Sequence, residues 1–362
     1  MILQSIELSN FRNYEREVFH FHPGTNVLYG DNAQGKTNVL EAIFVGGTTK
    51  SHKGSRDREM IRTGEREAHL RYFVEKREKL FRVEVHMRRS GSKGIAIDGL
   101  PIRNSNELLG LSNIVFFSPE DLGIIRDGPE ERRRFVDMEL CQLNKAYLFY
   151  LTQYKRILKQ RNALLKQIQE RKDLKDTLEI WNGQLAEHGG KIIGLREEFV
   201  TELNEIMKRK HDCLTGGREQ VEIIYDPNCR EQELESRLFL EEDRDIFLGT
   251  TTVGPHRDDI RFRTQGQDLR KYGSQGQKRT AALSLKMAEI EIVERSIGEK
   301  PILLLDDVLS ELDRNRQNYL LENIKGIQTI ITCTGLEEFI NNGINIDRTF
   351  EIIKGTSKQQ ET

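Results

Sequence analysis

The chain has 362 residues, 36% of them hydrophobic and 31% charged, enough for two domains or for one large domain with an insertion. It contains no run of eighteen apolar residues, so no membrane-spanning helix is expected. A net charge of −2, from 56 Lys and Arg against 58 Asp and Glu, excludes a globally basic nucleic-acid binder but leaves room for a local basic face. In chain order, the N-terminus MILQSIELSNFRNYE lacks a basic segment followed by an apolar stretch and a cleavage site. It reads as a first strand, not as a signal peptide. Val27, Leu28 and Tyr29 form a short apolar run ending at Gly30, and TNVLEAIFVGG reads as a helix closed by Gly46 and Gly47. Residues 69–102 alternate apolar and polar positions, as in Phe81, Val83 and Val85, with turn signals at Gly91 to Gly94 and at Asp98-Gly99. That pattern is an antiparallel meander. IVFF at 114–117 is a further strand.

From about residue 128 to 245 the periodicity is helical. Tyr147, Leu151, Tyr154, Leu158, Leu165 and Ile168 step by four and three along one long helix, with Arg161 filling one beat. After residue 250 the β/α alternation returns, with strands at 302–307, 328–334 and 348–353. The expected organisation is an α/β ATPase domain in two parts, 1–120 and 249–362, interrupted by an inserted, mainly helical lobe at 121–248. The tail KGTSKQQET reads as frayed. Cys141, Cys213, Cys229 and Cys333 are scattered without a CxxC pair. Neither a disulfide framework nor a zinc site is expected from them, and a reducing cytoplasm fits.

GDNAQGKT at 30–37 matches GxxxxGK[ST] at every position. Such a loop follows a strand and opens a helix. Its glycines permit backbone angles and close approaches that a Cβ blocks, and its N–H groups cradle phosphate oxygens. Gly30, Asp31, Asn32, Ala33, Gln34, Gly35, Lys36 and Thr37 are the expected ATP-binding residues. Lys36 reaches the β- and γ-phosphates, and Thr37 ligates Mg²⁺. Far downstream, Ile302 to Leu305 form a buried strand ending in Asp306 and Asp307. A carboxylate there needs a cation, so Asp306 is the second expected Mg²⁺ ligand, and Asp307 is a general base or water-orienting group. The alternative for this pair is a helix N-cap after a core strand.

The class is set by YGSQGQKRT at 272–280, in which Ser274, Gln275, Gly276 and Gln277 resemble the core of the LSGGQ signature of ABC ATPases. A serine hydroxyl, a flexible glycine and a helix N-terminus together suit an anion. SELD at 310–313 matches the D-loop of that class. The blocks LSNFRNY, GDNAQGKTNVLEAI, FFSPEDLGIIRDGPEERRRFVD, TTVGPHRDD and LLLDDVLSELD then resemble the RecF family of SMC-like DNA-repair ATPases, in order and over nearly the whole chain. The resemblance implies an ABC-type ATPase head with a mixed sheet, an antiparallel meander and a helical insertion. It implies an ATP-dependent homodimer in which Ser274 of one copy completes the P-loop site of the other, and it makes Arg12 and Asn13 candidate ATP contacts. It further implies weak, DNA-stimulated ATP hydrolysis, binding to DNA gaps and single-/double-strand junctions, and cooperation with RecO and RecR in loading RecA during repair, replication and SOS induction. Two departures matter. The acidic strand ends in Asp-Asp, where most ABC ATPases have Asp-Glu, which implies slow hydrolysis. Cys333 stands where a histidine is usual, so that role falls to Thr332 or Thr334 or is missing, and the Q-loop region is expected near Ser118 to Asp121. The alternative reading is a nucleotide-regulated DNA-binding module with negligible hydrolysis.

Lys50, His52, Lys53, Arg56, Arg58 and Arg62 form a basic run after the P-loop helix. It suits a DNA backbone or nucleotide contact, or equally a solvated face. Arg132, Arg133 and Arg134 follow two acids, as at a helix start. Gly254, Pro255, His256 and Arg257 have no chemical role beyond the resemblance. A metal site from His256 with Asp258 or Asp259 is a weak alternative, because one histidine and loop carboxylates rarely suffice.

Overall fold

The computed structural model describes residues 1–336 and 345–361. The chain divides into two compact units, Met1–Asp121 with Glu289–Thr362, and Leu122–Ala288.

The first unit begins with β1 (Ile2–Phe11), β2 (Tyr14–His20), β3 (Thr25–Tyr29), α1 (Lys36–Thr48) and α2 (Asp57–Met60). The meander follows as β4 (Glu67–Lys76), β5 (Lys79–Arg88), β6 (Gly94–Ile97) and β7 (Leu100–Pro101), and then β8 (Ile114–Phe117). The second unit holds α3 (Leu122–Arg126), α4 (Pro129–Leu143), α5 (Lys145–Glu170), α6 (Leu178–Thr215), β9 (Val221–Asp226), α7 (Leu234–Leu240), α8 (Glu242–Leu248), β10 (Asp259–Thr264), β11 (Gln267–Asp268) and α9 (Leu269–Tyr272). α10 (Gln275–Ile297) runs across the division. The first unit resumes with β12 (Ile302–Asp306), α11 (Arg314–Asn323), β13 (Thr329–Cys333), β14 (Arg348–Ile353) and β15 (Thr356–Glu361).

Two six-stranded sheets build the first unit. One, ordered β2-β1-β4-β5-β6-β7, is antiparallel throughout. Its strands alternate: Ala68, Leu70, Tyr72 and Val74 of β4 point inward, with His69, Arg71 and Phe73 between them less buried. The other, ordered β15-β14-β3-β13-β12-β8, is parallel except for β15. β8, β12 and β13 are buried at every position, as expected for parallel strands covered on both faces. β13 lies between the P-loop strand β3 and the acidic strand β12, so its C-terminal residues fall in the gap between the two motifs. α1 packs against strands of both sheets.

Two expectations about this unit are corrected. Gly46 and Gly47 do not close α1, which runs on to Thr48 and ends at Thr49 with φ 66°. A Cβ on Gly46 would lie 2.8 Å from the Tyr72 ring, and one on Gly47 would lie 2.4 Å from Ile114 Cδ1, so these glycines let the helix sit close to its neighbours. The tail through residue 361 is not frayed. β15 pairs residue by residue with β14, and the backbone N–H and hydroxyl of Ser357 both donate to the Glu17 carboxylate at 3.0 Å.

In the second unit α5 packs along α6, and β9, β10 and β11 form a small antiparallel sheet. The unit therefore extends to Ala288, past the expected limit at 248, because β10 pairs with β9 across that limit. On α5 the buried face is Tyr147, Leu151, Tyr154, Ile157, Arg161, Leu165 and Ile168. Ile157 takes the place expected of Leu158, and Arg161 is fully buried. Its guanidinium donates to Asn182 Oδ1 at 2.8 Å, Asp245 Oδ2 at 2.7 Å and Thr251 Oγ1 at 2.8 Å. None of the described helices is long and apolar enough to cross a membrane.

Candidate nucleotide site

The loop between β3 and α1 takes the backbone shape its glycines permit. Gly30 has φ 143° and Gly35 φ 117°. A Cβ would lie 2.5 Å from the Ile352 carbonyl oxygen at the first and 2.5 Å from Asn13 Nδ2 at the second, so neither position accepts a side chain. Ala33 also takes a left-handed conformation, with φ 63°. The buried Lys36 ammonium donates to the carbonyls of Gly30 at 2.6 Å and Asp31 at 2.8 Å. Burial pulls its pKa below the usual lysine value, against the opposing pull of Asp307, Cys333, Asp306 and Asp31. An ammonium folded into its own loop is poised to turn to a phosphate.

The acidic strand meets this loop directly. The Thr37 hydroxyl donates to Asp306 Oδ1 at 2.8 Å, and the Thr332 hydroxyl donates to the same oxygen at 2.7 Å. Thr332 in turn accepts from the backbone N–H of Asp307 at 3.0 Å. Burial raises the Asp306 pKa, opposed by the hydroxyls of Thr332 and Thr37 and by the charge of Lys53. A buried carboxylate flanked by a threonine hydroxyl has the donor set of a divalent cation site. Asp307 is exposed, with its backbone in the left-handed region at φ 52°. Asp enters that region more readily than most non-glycine residues, a local reason for the shorter acid at this place. The Ser310 hydroxyl donates to the Asp307 carbonyl at 2.8 Å and closes the turn.

A second layer fixes the loop. The Asn13 amide donates to the Gln34 carbonyl at 2.8 Å and accepts from Asn38 at 2.8 Å, and the Tyr14 hydroxyl donates to the Gly35 carbonyl at 3.1 Å. From the β14–β15 turn, Gly355 N–H donates to the Gln34 carbonyl at 3.1 Å, and Lys354 N–H to its side-chain oxygen at 2.7 Å. Arg12 makes a two-pronged pair with Glu41 at 2.7 and 2.8 Å, and also donates to Ser55 Oγ and the Glu59 carbonyl. Its pKa is raised, first by the hydrogen bond to Glu41. Arg12 and Asn13 thus pin the β1–β2 turn to the P-loop and its helix. Glu41, buried inside α1, was missed by the motif reading. A lone acid in the apolar stretch VLEAIF was the available signal.

The signature segment lies at the start of α10. Ser274 N–H donates to Gln277 Oε1 at 2.9 Å, and Gln277 N–H donates to Ser274 Oγ at 3.2 Å. This is a reciprocal capping box. Ser274, Gln275 and Gly276 are exposed, and Tyr272 beside them is 70% exposed. The Ser274 oxygen accepts within the box, while its O–H keeps its donor capacity.

The other predicted groups divide. Of the basic run, Lys53 lies near enough to Asp306 to favour its charged form, Arg62 pairs with Glu15 at 2.9 Å, and the His52 ring stacks on Phe116 at 4.0 Å. Ser118, at the end of β8, donates its N–H to Asp121 at 2.7 Å. Arg132 is buried against Asp259 at 2.7 Å, and Arg133 donates to the Asp258 carbonyl at 2.6 Å. The TTVGPHRDD block is tied into the second unit by hydrogen bonds. Arg196, on α6, donates to Asp258 Oδ2 at 2.9 Å and to the Pro255 carbonyl at 2.7 Å. His256 has both ring nitrogens engaged, with the Tyr154 hydroxyl at 2.6 Å and the Thr251 carbonyl at 3.0 Å, so it offers no lone pair to a metal.

The family model for the RecF/RecN/SMC N terminal domain matches residues 2–359. The DNA replication and repair protein RecF of Agathobacter rectalis is 57% identical over 355 residues, covering 98% of each chain. RecF of Lachnoclostridium phytofermentans is 57% identical over 356 residues, covering 98% of this chain and 99% of that one. Among solved structures, that of the recombination mediator protein RecF-ATP in the RecFOR pathway is 38% identical with a TM-score of 0.93, covering 99% of this chain and 97% of that one. The Smc head domain of Pyrococcus furiosus, 17% identical over 99% of this chain and 96% of that one, with a TM-score of 0.58, shares the fold alone. The P-loop joined to its acidic strand, the capped signature segment and these relatives together show that the chain belongs to the RecF group of the RecF/RecN/SMC family, with the ABC-type ATPase head fold of that family.

Proposed function

We propose that the chain is an ATP-dependent DNA-binding protein of recombinational repair. ATP seats on the P-loop, with Lys36 released from the Gly30 and Asp31 carbonyls to the β- and γ-phosphates. Thr37 and Asp306 hold Mg²⁺, which supplies neutralising charge to the phosphates, and Asp307 orients the attacking water. Two copies pair head to tail around two ATP molecules, each offering the Ser274–Gln277 cap to the γ-phosphate held by the other. The paired state binds DNA at gaps and single-/double-strand junctions, and hydrolysis, weak and DNA-stimulated, releases it. In the cytoplasm this switch assists RecA loading together with RecO and RecR, and supports SOS induction.

The observation that carries this reading is the Thr37–Asp306 contact at 2.8 Å beside an exposed Asp307. The cap at Ser274 and Gln277, its serine exposed, supports the further reading that the site is shared between two copies. A second reading, a nucleotide-regulated binding module with negligible turnover, is favoured by the short Asp307 side chain and by Cys333 in place of a histidine. DNA binding separates the proposal from a passive binder. With Mg-ATP, gapped and junction DNA should bind more tightly than duplex or single strands, and the preference should vanish without nucleotide. Salt-dependent binding that ignores nucleotide contradicts the proposal.

A further inference from the structure

On the outer face of the antiparallel sheet, far in sequence from both nucleotide motifs, three metal-ligating side chains come together. β4 and β5 pair with His69 directly opposite His86 and with Glu67 opposite Arg88. The two-residue alternation of β4 puts Glu67 and His69 on one face, with Ala68 and Leu70 turned into the core. The imidazole rings stack with centroids 4.0 Å apart and planes 20° apart. Glu67 spans them: Oε2 lies 2.9 Å from His86 Nε2, and Oε1 lies 3.5 Å from His69 Nε2. One ligand atom from each residue lies within 4.8 Å of the other two.

These separations bring the three groups within reach of one ion once the rings turn. Zinc bound tetrahedrally to nitrogen and oxygen at about 2.0–2.1 Å places its ligand atoms about 3.3 Å apart. The two nitrogen–oxygen distances fall on either side of that value. We propose that Glu67, His69 and His86 form a surface site for a divalent metal of the imidazole-binding class, Zn²⁺ being the representative ion. Two imidazoles and one carboxylate suit such ions and suit Mg²⁺ or Ca²⁺ poorly. Three protein ligands leave a further coordination position for water.

The neighbouring groups allow this. The Glu67 carboxylate faces both imidazoles, one oxygen toward each ring. Arg88 approaches His86 Nδ1 at 3.2 Å. An arginine can only donate, so the His86 proton sits on Nε2 in the metal-free form. Metal binding at Nε2 shifts that proton to Nδ1, so Nδ1 no longer accepts from the exposed Arg88, which swings aside. Closing the ligand set also needs the two rings to turn off parallel. Both are partly exposed, at 49% and 27%. The bound ion would clip β4 to β5 at the open end of their pairing, away from the Lys76–Lys79 turn.

The test is Zn²⁺ titration of the full-length chain without nucleotide. Cys213→Ser is made first, because that thiol is exposed and would compete. The proposal expects one saturable site, weakened at least tenfold by His69→Ala and by His86→Ala and severalfold by Glu67→Gln. It also expects Zn²⁺ to raise the melting midpoint of the parent chain but not of the two alanine variants. These side chains are on the surface, and far-UV circular dichroism of each variant checks its fold. Absence of saturable binding in the parent, or equal affinity in the parent and both alanine variants, overturns the proposal.

Discussion

Thr37 and Asp306 lie 269 positions apart in sequence and share a hydrogen bond of 2.8 Å. That contact joins the first residue after the P-loop lysine to the last residue of the acidic strand. Thr332, from the strand between them, donates to the same carboxylate oxygen at 2.7 Å. The Asp306 carboxylate, at the end of β12, is thus met by hydroxyls from the first turn of α1 and from β13.

Replacing Lys36 with Met should abolish ATP binding while leaving the fold intact. The lost charge-assisted hydrogen bonds to phosphate correspond to about 2–3 kcal/mol, roughly thirtyfold or more in affinity. Fluorescent-nucleotide titration measures it, and affinity within a few-fold of wild type would remove Lys36 from the site.

Asp307→Asn should bind ATP normally and hydrolyse it at least tenfold more slowly. Asparagine tolerates the left-handed backbone at this position, so the turn survives. Single-turnover hydrolysis measures the effect. Hydrolysis at the normal rate would show that Asp307 neither accepts a proton nor orients water.

Asp306 gives a pH signature. Its pKa in the folded, ion-free chain is raised above the ordinary 3.8, so the folded state binds more protons than the unfolded one just above that value. Stability therefore falls as pH rises from 3.8 through the raised value, and the cost persists at neutral pH. Asp306→Asn keeps an oxygen for the hydroxyls of Thr37 and Thr332 and removes the buried charge. It should raise the nucleotide-free melting midpoint at neutral pH and abolish Mg²⁺-dependent stabilisation by ATP. Scanning calorimetry with and without Mg-ATP tests both halves.

His256 works in the opposite sense. Burial lowers its pKa from 6.5 to about 4, so the unfolded chain binds the extra proton between those values. Stability should rise with pH across that window and be fully gained above 6.5. In urea unfolding, His256→Gln should show a shallower dependence on pH over the same range. An unchanged slope would mean that the imidazole is already charged in the folded chain. In the same lobe Arg161→Ala leaves Asp245 buried and unpaired and should cost about 3–5 kcal/mol.

What the sequence made legible follows from range. The P-loop, the acidic strand and the signature segment are local patterns, because a loop that wraps phosphate must carry its glycines, lysine and threonine in one stretch. Gly46 and Gly47 were misread because their reason lies in Tyr72 and Ile114, outside the helix. The tail looked frayed because a short polar edge strand is recognisable only beside its partner β14. Arg161 looked like a gap in an apolar stripe, and its three partners come from α6, α8 and the loop after α8. The two-pronged Arg12–Glu41 pair was hidden likewise, since nothing near Arg12 in sequence announces an acid on α1.

The central claim is that each P-loop site is half a site, completed by Ser274 of a second copy. Sedimentation velocity with Mg-ATP tests it most directly. The wild-type chain should sediment as a dimer with Mg-ATP and as a monomer without it. Ser274→Arg should remain monomeric while still binding ATP. An unchanged sedimentation coefficient on adding Mg-ATP to the wild type, or full dimerisation of Ser274→Arg, would contradict the account.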